Sequence, residues 1–126
     1  LLEYGNRNIG GGIDQFWLTG DLRITPVQQI DFLERLRRGG LAVSQRPQEV
    51  VRDILSVTKT ENALIRYKTG LLGAEIGKPS LGWVVGWAEK RTDVTVFAMN
   101  MDCRTPEHIP ARMTITQKLL TDVGAI

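Results

Sequence analysis

The apolar residues of this chain change their period near residue 63, and that change limits the fold more than any other feature of the sequence. Before it, Val27, Ile30, Leu33 and Leu36 recur at helical spacing behind Thr25 and Pro26. Threonine is a good N-cap, and proline is tolerated in a first turn, where its missing N–H would have no partner anyway. Gly39-Gly40 is the expected stop. A second helix is expected from near Ser44, with Pro47 in its first turn and Val50, Val51, Ile54 and Leu55 turned inward. Beyond the change, residues 63–69, 81–89 and 94–101 are rich in β-branched, aromatic and apolar side chains, and short polar or glycine-bearing links separate them. Short links between strands predict an antiparallel meander of three strands. Pro110 then opens a helix to about Val123, expected to bury Ala111, Ile115, Leu119 and Leu120 and to stop at Gly124. This order predicts an α+β fold, an antiparallel sheet covered by helices. So small a sheet leaves apolar surface uncovered, and further cover is expected from chain preceding this one.

The stretch before the first helix is a loop. Gly5, Gly10, Gly11, Gly12 and Gly20 crowd it, which favours turns and close backbone approach. Ile13, Phe16, Trp17 and Leu18 lie among them, so the loop is expected to be compact and packed down. The sequence opens without Met on Leu1-Leu2-Glu3-Tyr4, which reads as the end of a preceding helix and a start inside a domain.

Composition narrows the function classes. With 126 residues, 42% of them hydrophobic and 24% charged, the chain is one domain's worth or less. No apolar run approaches the ~20 residues of a membrane helix. The net charge is only +2, with acids interspersed among bases. The densest basic group, Arg35, Arg37 and Arg38, falls at the C-terminal end of the first helix, where the macrodipole favours cations. A nucleic-acid partner is not expected. Cys103 and His108 are the only residues of their kinds, so neither an intrachain disulfide nor a metal site is offered. His108 reads as a helix-entry residue.

The chemistry gathers around Lys68-Thr69-Gly70 at the end of the first strand. An ammonium, a hydroxyl and a glycine there make a site for an anion and a carbonyl, with room for a ligand against the strand. The tripeptide alone is weak, since a turn after a strand reads the same way. It has company: Tyr4-Gly5-Asn6, Gly11-Gly12-Ile13-Asp14 and Phe16-Trp17-Leu18 stand upstream. Gly82-Trp83, Val85-Gly86-Trp87, residues 97–102 (Phe-Ala-Met-Asn-Met-Asp) and Pro110-Ala111-Arg112 follow downstream. In this order and spacing, over essentially all 126 residues, the chain resembles the C-terminal half of the class D (oxacillinase-type) serine β-lactamases, whose wider group combines Ser-x-x-Lys and Lys-Thr-Gly elements.

The resemblance implies a β-lactamase/transpeptidase-like fold, incomplete without its N-terminal half, with residues 1–126 as the C-terminal portion of a single penicillin-recognising domain. It also implies roles. Lys68, Thr69 and Gly70 line one wall of the active site, and the strand edge after Thr69 aligns the β-lactam. The N–H of Leu71 helps to hold the oxyanion. Arg112 pairs with the drug's carboxylate, a task suited to a planar guanidinium. Trp17 donates its indole N–H to a CO2-derived carbamate on a lysine, the family's general base, which is not in this chain. Tyr4, Gly5 and Asn6 are mainly structural support beside the site. No metal is implied. A bacterial periplasmic location and a part in antibiotic resistance follow from the family.

Departures from the family pattern matter too. The Ser-x-x-Lys and Ser-x-Val elements are not found in matching context, and Ser44, Ser56 and Ser80 are the only serines. The chain alone is therefore expected to be inactive, with the missing half as its partner. Gly10 stands where the family often has serine, and Leu71-Leu72 replace a frequent aromatic, so the range of drugs accepted is open. Two alternatives stay on the table. One is a β-lactam sensor domain of a bacterial receptor, which shares this fold and acylates without rapid turnover. The other is a catalytically dead half that only completes a partner.

Overall fold

The computed structural model describes residues 3–73 and 80–126. The Leu1-Leu2 pair, read as a helix end, and the link at 74–79 lie outside the described residues. The chain divides into two compact units, Leu1–Ile54 and Leu55–Ile126.

In the first unit, α1 spans Pro26–Arg37. Its start is a capping box: Thr25 Oγ1 accepts from the Gln28 N–H at 3.2 Å, and the Gln28 side chain accepts from the Thr25 N–H at 3.0 Å. Gly39, with φ +70, lets the chain leave the helix in a left-handed conformation. Leu33 and Leu36 are buried as expected, whereas Val27 is exposed. The buried polar residue of α1 is Gln29, which accepts a hydrogen bond from the Tyr4 hydroxyl at 2.5 Å.

Helix α2 covers Gln45–Ile54. Here the expected inward face is overturned, since Val50, Val51 and Ile54 are all exposed and Leu55 lies past the helix end. The physical reason is that polar side chains tie α2 to the link before it and to the end of α1. Gln48 is buried, accepts from the Leu41 N–H at 3.1 Å and donates to the Val43 carbonyl at 3.0 Å. Arg52 donates to the Leu36 carbonyl at 3.0 Å, which also accepts from the Gly39 N–H at 3.1 Å. Those bonds turn the apolar stripe of α2 away from α1. The arginine cluster is likewise compensated: Arg35 pairs with Glu3, and Arg37 and Arg38 pair with Glu34.

The second unit is a four-stranded antiparallel sheet with one helix. Strands β1 (Ser56–Lys59), β2 (Leu64–Leu72), β3 (Ser80–Lys90) and β4 (Asp93–Cys103) lie in sequence order, and α3 spans His108–Asp122. The sequence reading missed β1, which is short and polar and shows no alternation. The other strands match their expected positions and extend them by a few residues. Ile65 on β2, Ala88 on β3, and Leu120 and Ala125 form the buried core, with Tyr67, Phe97 and Ile126 around it.

The inner face of α3 is Arg112, Thr116 and Leu120, one helical face at spacings of four. The expected set was Ala111, Ile115, Leu119 and Leu120. Of these only Leu120 is buried, Ala111 is half-buried, and Ile115 and Leu119 are exposed. Two polar residues displaced the apolar ones because both find partners inside: Thr116 donates to the Arg112 carbonyl at 2.8 Å, and Arg112 reaches backbone carbonyls of the sheet. The helix starts at His108 instead of Pro110, and the His108 ring accepts from the Arg104 N–H at 3.1 Å. Gly124 ends it with φ +74, as expected.

Candidate active site

In the second unit the site begins with a change of pairing along β2. Strand β1 accompanies β2 only over Leu64–Tyr67, where Ser56 faces Tyr67 and Lys59 faces Leu64. From Lys68 to Leu72, β2 continues to pair with β3 but no longer with β1. The Lys-Thr-Gly triplet thus opens the stretch where β2 has one edge free of β1, with backbone donors and acceptors available to an extended ligand.

Alternation sorts the side chains of that stretch. Ile65 faces the core beneath α3, so Tyr67, Thr69 and Leu71 share the α3 face, and Lys68, Gly70 and Leu72 take the other. The exposure pattern agrees: Tyr67, Thr69 and Leu71 are half-buried, while Lys68, Gly70 and Leu72 are exposed. Lys68 Nζ donates back to the Thr69 carbonyl. Trp83 sits opposite Gly70, its Cβ 3.8 Å from where a Gly70 side chain would begin, so a larger residue here would cover the open face of the strand.

Arg112 comes to this strand from α3. It is only 7% exposed. Its Nε donates to the Ile109 carbonyl at 2.9 Å, and its Nη1 donates to the Gly70 carbonyl at 2.5 Å, with the Trp83 carbonyl at 3.5 Å. Among the described residues no carboxylate pairs with it, so carbonyl dipoles orient the guanidinium without neutralising it. Gly82 makes this route possible. A side chain there would run into Arg112 Cδ and lie 2.6 Å from the Cys103 sulfur. That role is not legible in the sequence, since a glycine in a strand reads equally as a bulge or a bend. Cys103 itself is buried.

In the first unit, Tyr4-Gly5-Asn6 and Trp17 belong to one loop system. The Tyr4 ring stands edge-on to Phe32 at 4.9 Å, its hydroxyl is held by Gln29, and burial pushes its pKa up. Gly5 has φ +53, and a Cβ there would collide with the Arg23 carbonyl, so glycine is required. Asn6 bonds across the loop neck to Asp21 and Arg23. Tyr4 and Asn6 thus spend their side-chain hydrogen bonds inside this unit. The loop differs from expectation in one respect. It is knotted on itself by backbone bonds, yet Ile13 (89% exposed) and Trp17 (53%) face outward, and no described element covers them. Phe16 is half-buried against the edge of Trp17, ring centroids 4.8 Å apart. The Trp17 indole N–H has no acceptor among the described residues. A half-exposed donor of that kind suits an anionic group such as a carbamate.

A literal Ser-x-x-Lys spacing does occur, at Ser56-Val57-Thr58-Lys59, and the sequence reading overlooked it. The structure supplies the reason to discount it. On a helix, residues three apart share a face, but these lie on strand β1, where such residues point to opposite faces about 10 Å apart. Both are exposed. Among the described residues no group of three His, Cys, Asp or Glu is placed to hold a metal, and no helix is long and apolar enough to cross a membrane.

Comparison with known proteins decides the family. The model of the penicillin binding protein transpeptidase domain matches residues 2–121. The chain belongs to that family. Within it the similarity is to class D β-lactamases: 41% identity to β-lactamase OXA-5 of Pseudomonas aeruginosa, over 100% of this chain and 48% of that protein. β-Lactamase OXA-48 of Klebsiella pneumoniae is 41% identical over 94% of this chain and 44% of its own length. The crystal structure of a class D β-lactamase from Nostoc superposes with a TM-score of 0.87 at 42% identity, covering 98% of this chain and 52% of that one. The antiparallel sheet with its helices is therefore the class D β-lactamase/transpeptidase fold, of which this chain spans about half the length of these relatives.

Proposed function

We propose that the full-length protein hydrolyses β-lactam antibiotics through a serine acyl-enzyme, and that this chain provides the strand wall and the carboxylate clamp of its active site. The observation that carries this reading is the hydrogen bond from Arg112 to Gly70, which joins two motif residues 42 positions apart. The drug lies along Lys68–Leu72, with the Leu71 N–H at its developing oxyanion and Thr69 and Arg112, which share the α3 face, at its carboxylate. A serine from the rest of the domain attacks the lactam carbonyl, the ring C–N bond breaks, and water hydrolyses the resulting ester. A lysine carbamate, when present, supplies the base for that water. Trp17, with its open indole N–H, donates to it. The family's setting makes the bacterial periplasm the place of action.

The experiment is intact mass of the full-length protein, followed over time after penicillin is added. A drug-sized adduct that forms and disappears within minutes is expected. No adduct refutes the reading. An adduct lasting hours transfers the same site to a β-lactam sensor, which acylates and does not turn over.

A further inference from the structure

One side chain closes the loop that carries Trp17. Asn6 Nδ2 donates to the Asp21 carbonyl at 2.8 Å, while Asn6 Oδ1 accepts from the Arg23 and Asn8 N–H groups, both at 3.1 Å. The Asn6 N–H adds a fourth bond, to the Arg23 carbonyl at 2.8 Å. Asn8 repeats the device one step further in: its Oδ1 accepts from the Gly10 N–H at 2.9 Å, and the Gly10 carbonyl accepts from the Asp21 N–H at 3.1 Å. The ends of residues 7–22 are thus held together by the Asn6 side chain and by backbone bonds, while the Asn8 side chain braces the turn at Gly10 on one side only.

The clasp connects to Trp17 through the backbone. Next to Asp21, the Leu22 N–H donates to the Phe16 carbonyl at 3.1 Å, and Gly20 packs so closely that a Cβ on it would lie 2.5 Å from the Phe16 Cα. Arg23 donates to the Gly20 and Leu22 carbonyls from the same end. Trp17 follows Phe16 directly and touches it edge-on. Its own side chain is half exposed, so little besides this backbone scaffold fixes where the indole points.

We propose that Asn6, assisted by Asn8, is a positioning residue for the hydrolytic step: it fixes the loop so that the Trp17 indole N–H is presented to the base. The inference rests on the role given to Trp17 above. Asn6 then touches neither drug nor base, and its loss acts only on how well the base is held.

The test uses the full-length protein with Asn6→Ala, the milder Asn8→Ala, and Trp17→Ala as reference. Three quantities are read: amide hydrogen exchange of residues 10–22, the carbamate carbon signal by NMR during titration with 13C-bicarbonate, and the lifetime of the penicillin adduct by mass. Asn6→Ala is expected to speed exchange in the loop and to raise the bicarbonate needed for half-maximal carbamate by about tenfold, the equivalent of one to two net hydrogen bonds. It should lengthen adduct lifetime in proportion. Asn8→Ala should show the same pattern at smaller size. A loosened loop with an unchanged carbamate titration and adduct lifetime overturns the proposal and leaves the Trp17 reading standing. If Trp17→Ala itself leaves the carbamate signal unchanged, the Trp17 reading falls and the inference falls with it.

Discussion

Replacing Arg112 by lysine keeps the charge and removes the fork, and the structure gives the size of the effect. The guanidinium makes two well-formed bonds from different nitrogens, Nε to Ile109 at 2.9 Å and Nη1 to Gly70 at 2.5 Å, at a position only 7% exposed. One ammonium cannot reach both carbonyls. Losing one hydrogen bond from a charged donor costs about 1.5–3 kcal/mol, and the more strongly hydrated ammonium does not lessen the penalty of burial. For a domain of about 250 residues, each kcal/mol lowers Tm by about 2–4 °C, so Arg112→Lys should melt about 3–12 °C below the parent. Circular dichroism of the full-length protein measures this. On the role proposed for Arg112, steady-state kinetics on a penicillin should show KM raised at least about tenfold, since a point charge would replace a planar pair of donors at the drug's carboxylate. An unchanged Tm would refute the clamp between α3 and β2. A lowered Tm with unchanged KM would leave Arg112 as a fastener and remove it from the binding site.

Three further outcomes are expected. Gly5→Ala combines left-handed strain with a collision against the Arg23 carbonyl, and should cost more than about 2 kcal/mol in urea unfolding; a neutral result would show that the neck can rearrange. Gly86→Ala places a Cβ 2.8 Å from the Tyr67 Cα, backbone against backbone, and should cost about 3 kcal/mol or more in denaturant unfolding; an unchanged midpoint would refute the close approach of β2 and β3. Tyr4→Phe leaves the buried Gln29 carbonyl without its donor, at about 1–3 kcal/mol near neutral pH. Burial raises the Tyr4 pKa above its ordinary 10.0. The folded state therefore keeps this proton longer than the unfolded state, and the stability contribution is whole below pH 10 and is lost as pH rises toward the raised value. The phenylalanine variant should lose this alkaline decline, measured as unfolding free energy between pH 9 and 11.

Where each segment's pattern and its partners agreed, the sequence could be read. Thr25, Pro26 and the glycine after α1 fixed both ends of that helix, because caps act locally and the residues that make them are few. The β-rich segments were equally plain, since alternation and β-branching leave little choice. What failed was the facing of α2 and α3. In both, a polar residue owns the buried position that periodicity assigned to aliphatic ones: Gln48 in α2, Arg112 and Thr116 in α3. Periodicity treats a buried polar group as an error, yet each of these has a partner that exists only once another element is in place. The candidate site divides along the same line. Its residue types were legible through the motifs, but not the free edge beginning at Lys68, which depends on a strand too short and polar to be noticed.

The polar exceptions are also where this chain departs from a plain α+β core, and that coincidence has a cause. An apolar residue at position 112 would pack α3 onto the sheet with fewer demands, since no carbonyl of β2 would need to meet a guanidinium. Keeping arginine there requires Gly82 to clear its path and the Gly70 carbonyl to receive it. It leaves a buried positive charge beside a free strand edge with no carboxylate among the described residues to neutralise it. Charge held that way costs stability in the empty protein and recovers it when an anion arrives. Arg112→Met should then retain or raise Tm relative to Arg112→Lys while abolishing the rise in Tm that a slowly hydrolysed β-lactam gives the parent. Equal ligand-induced shifts in parent and Arg112→Met would mean that the buried charge serves packing alone.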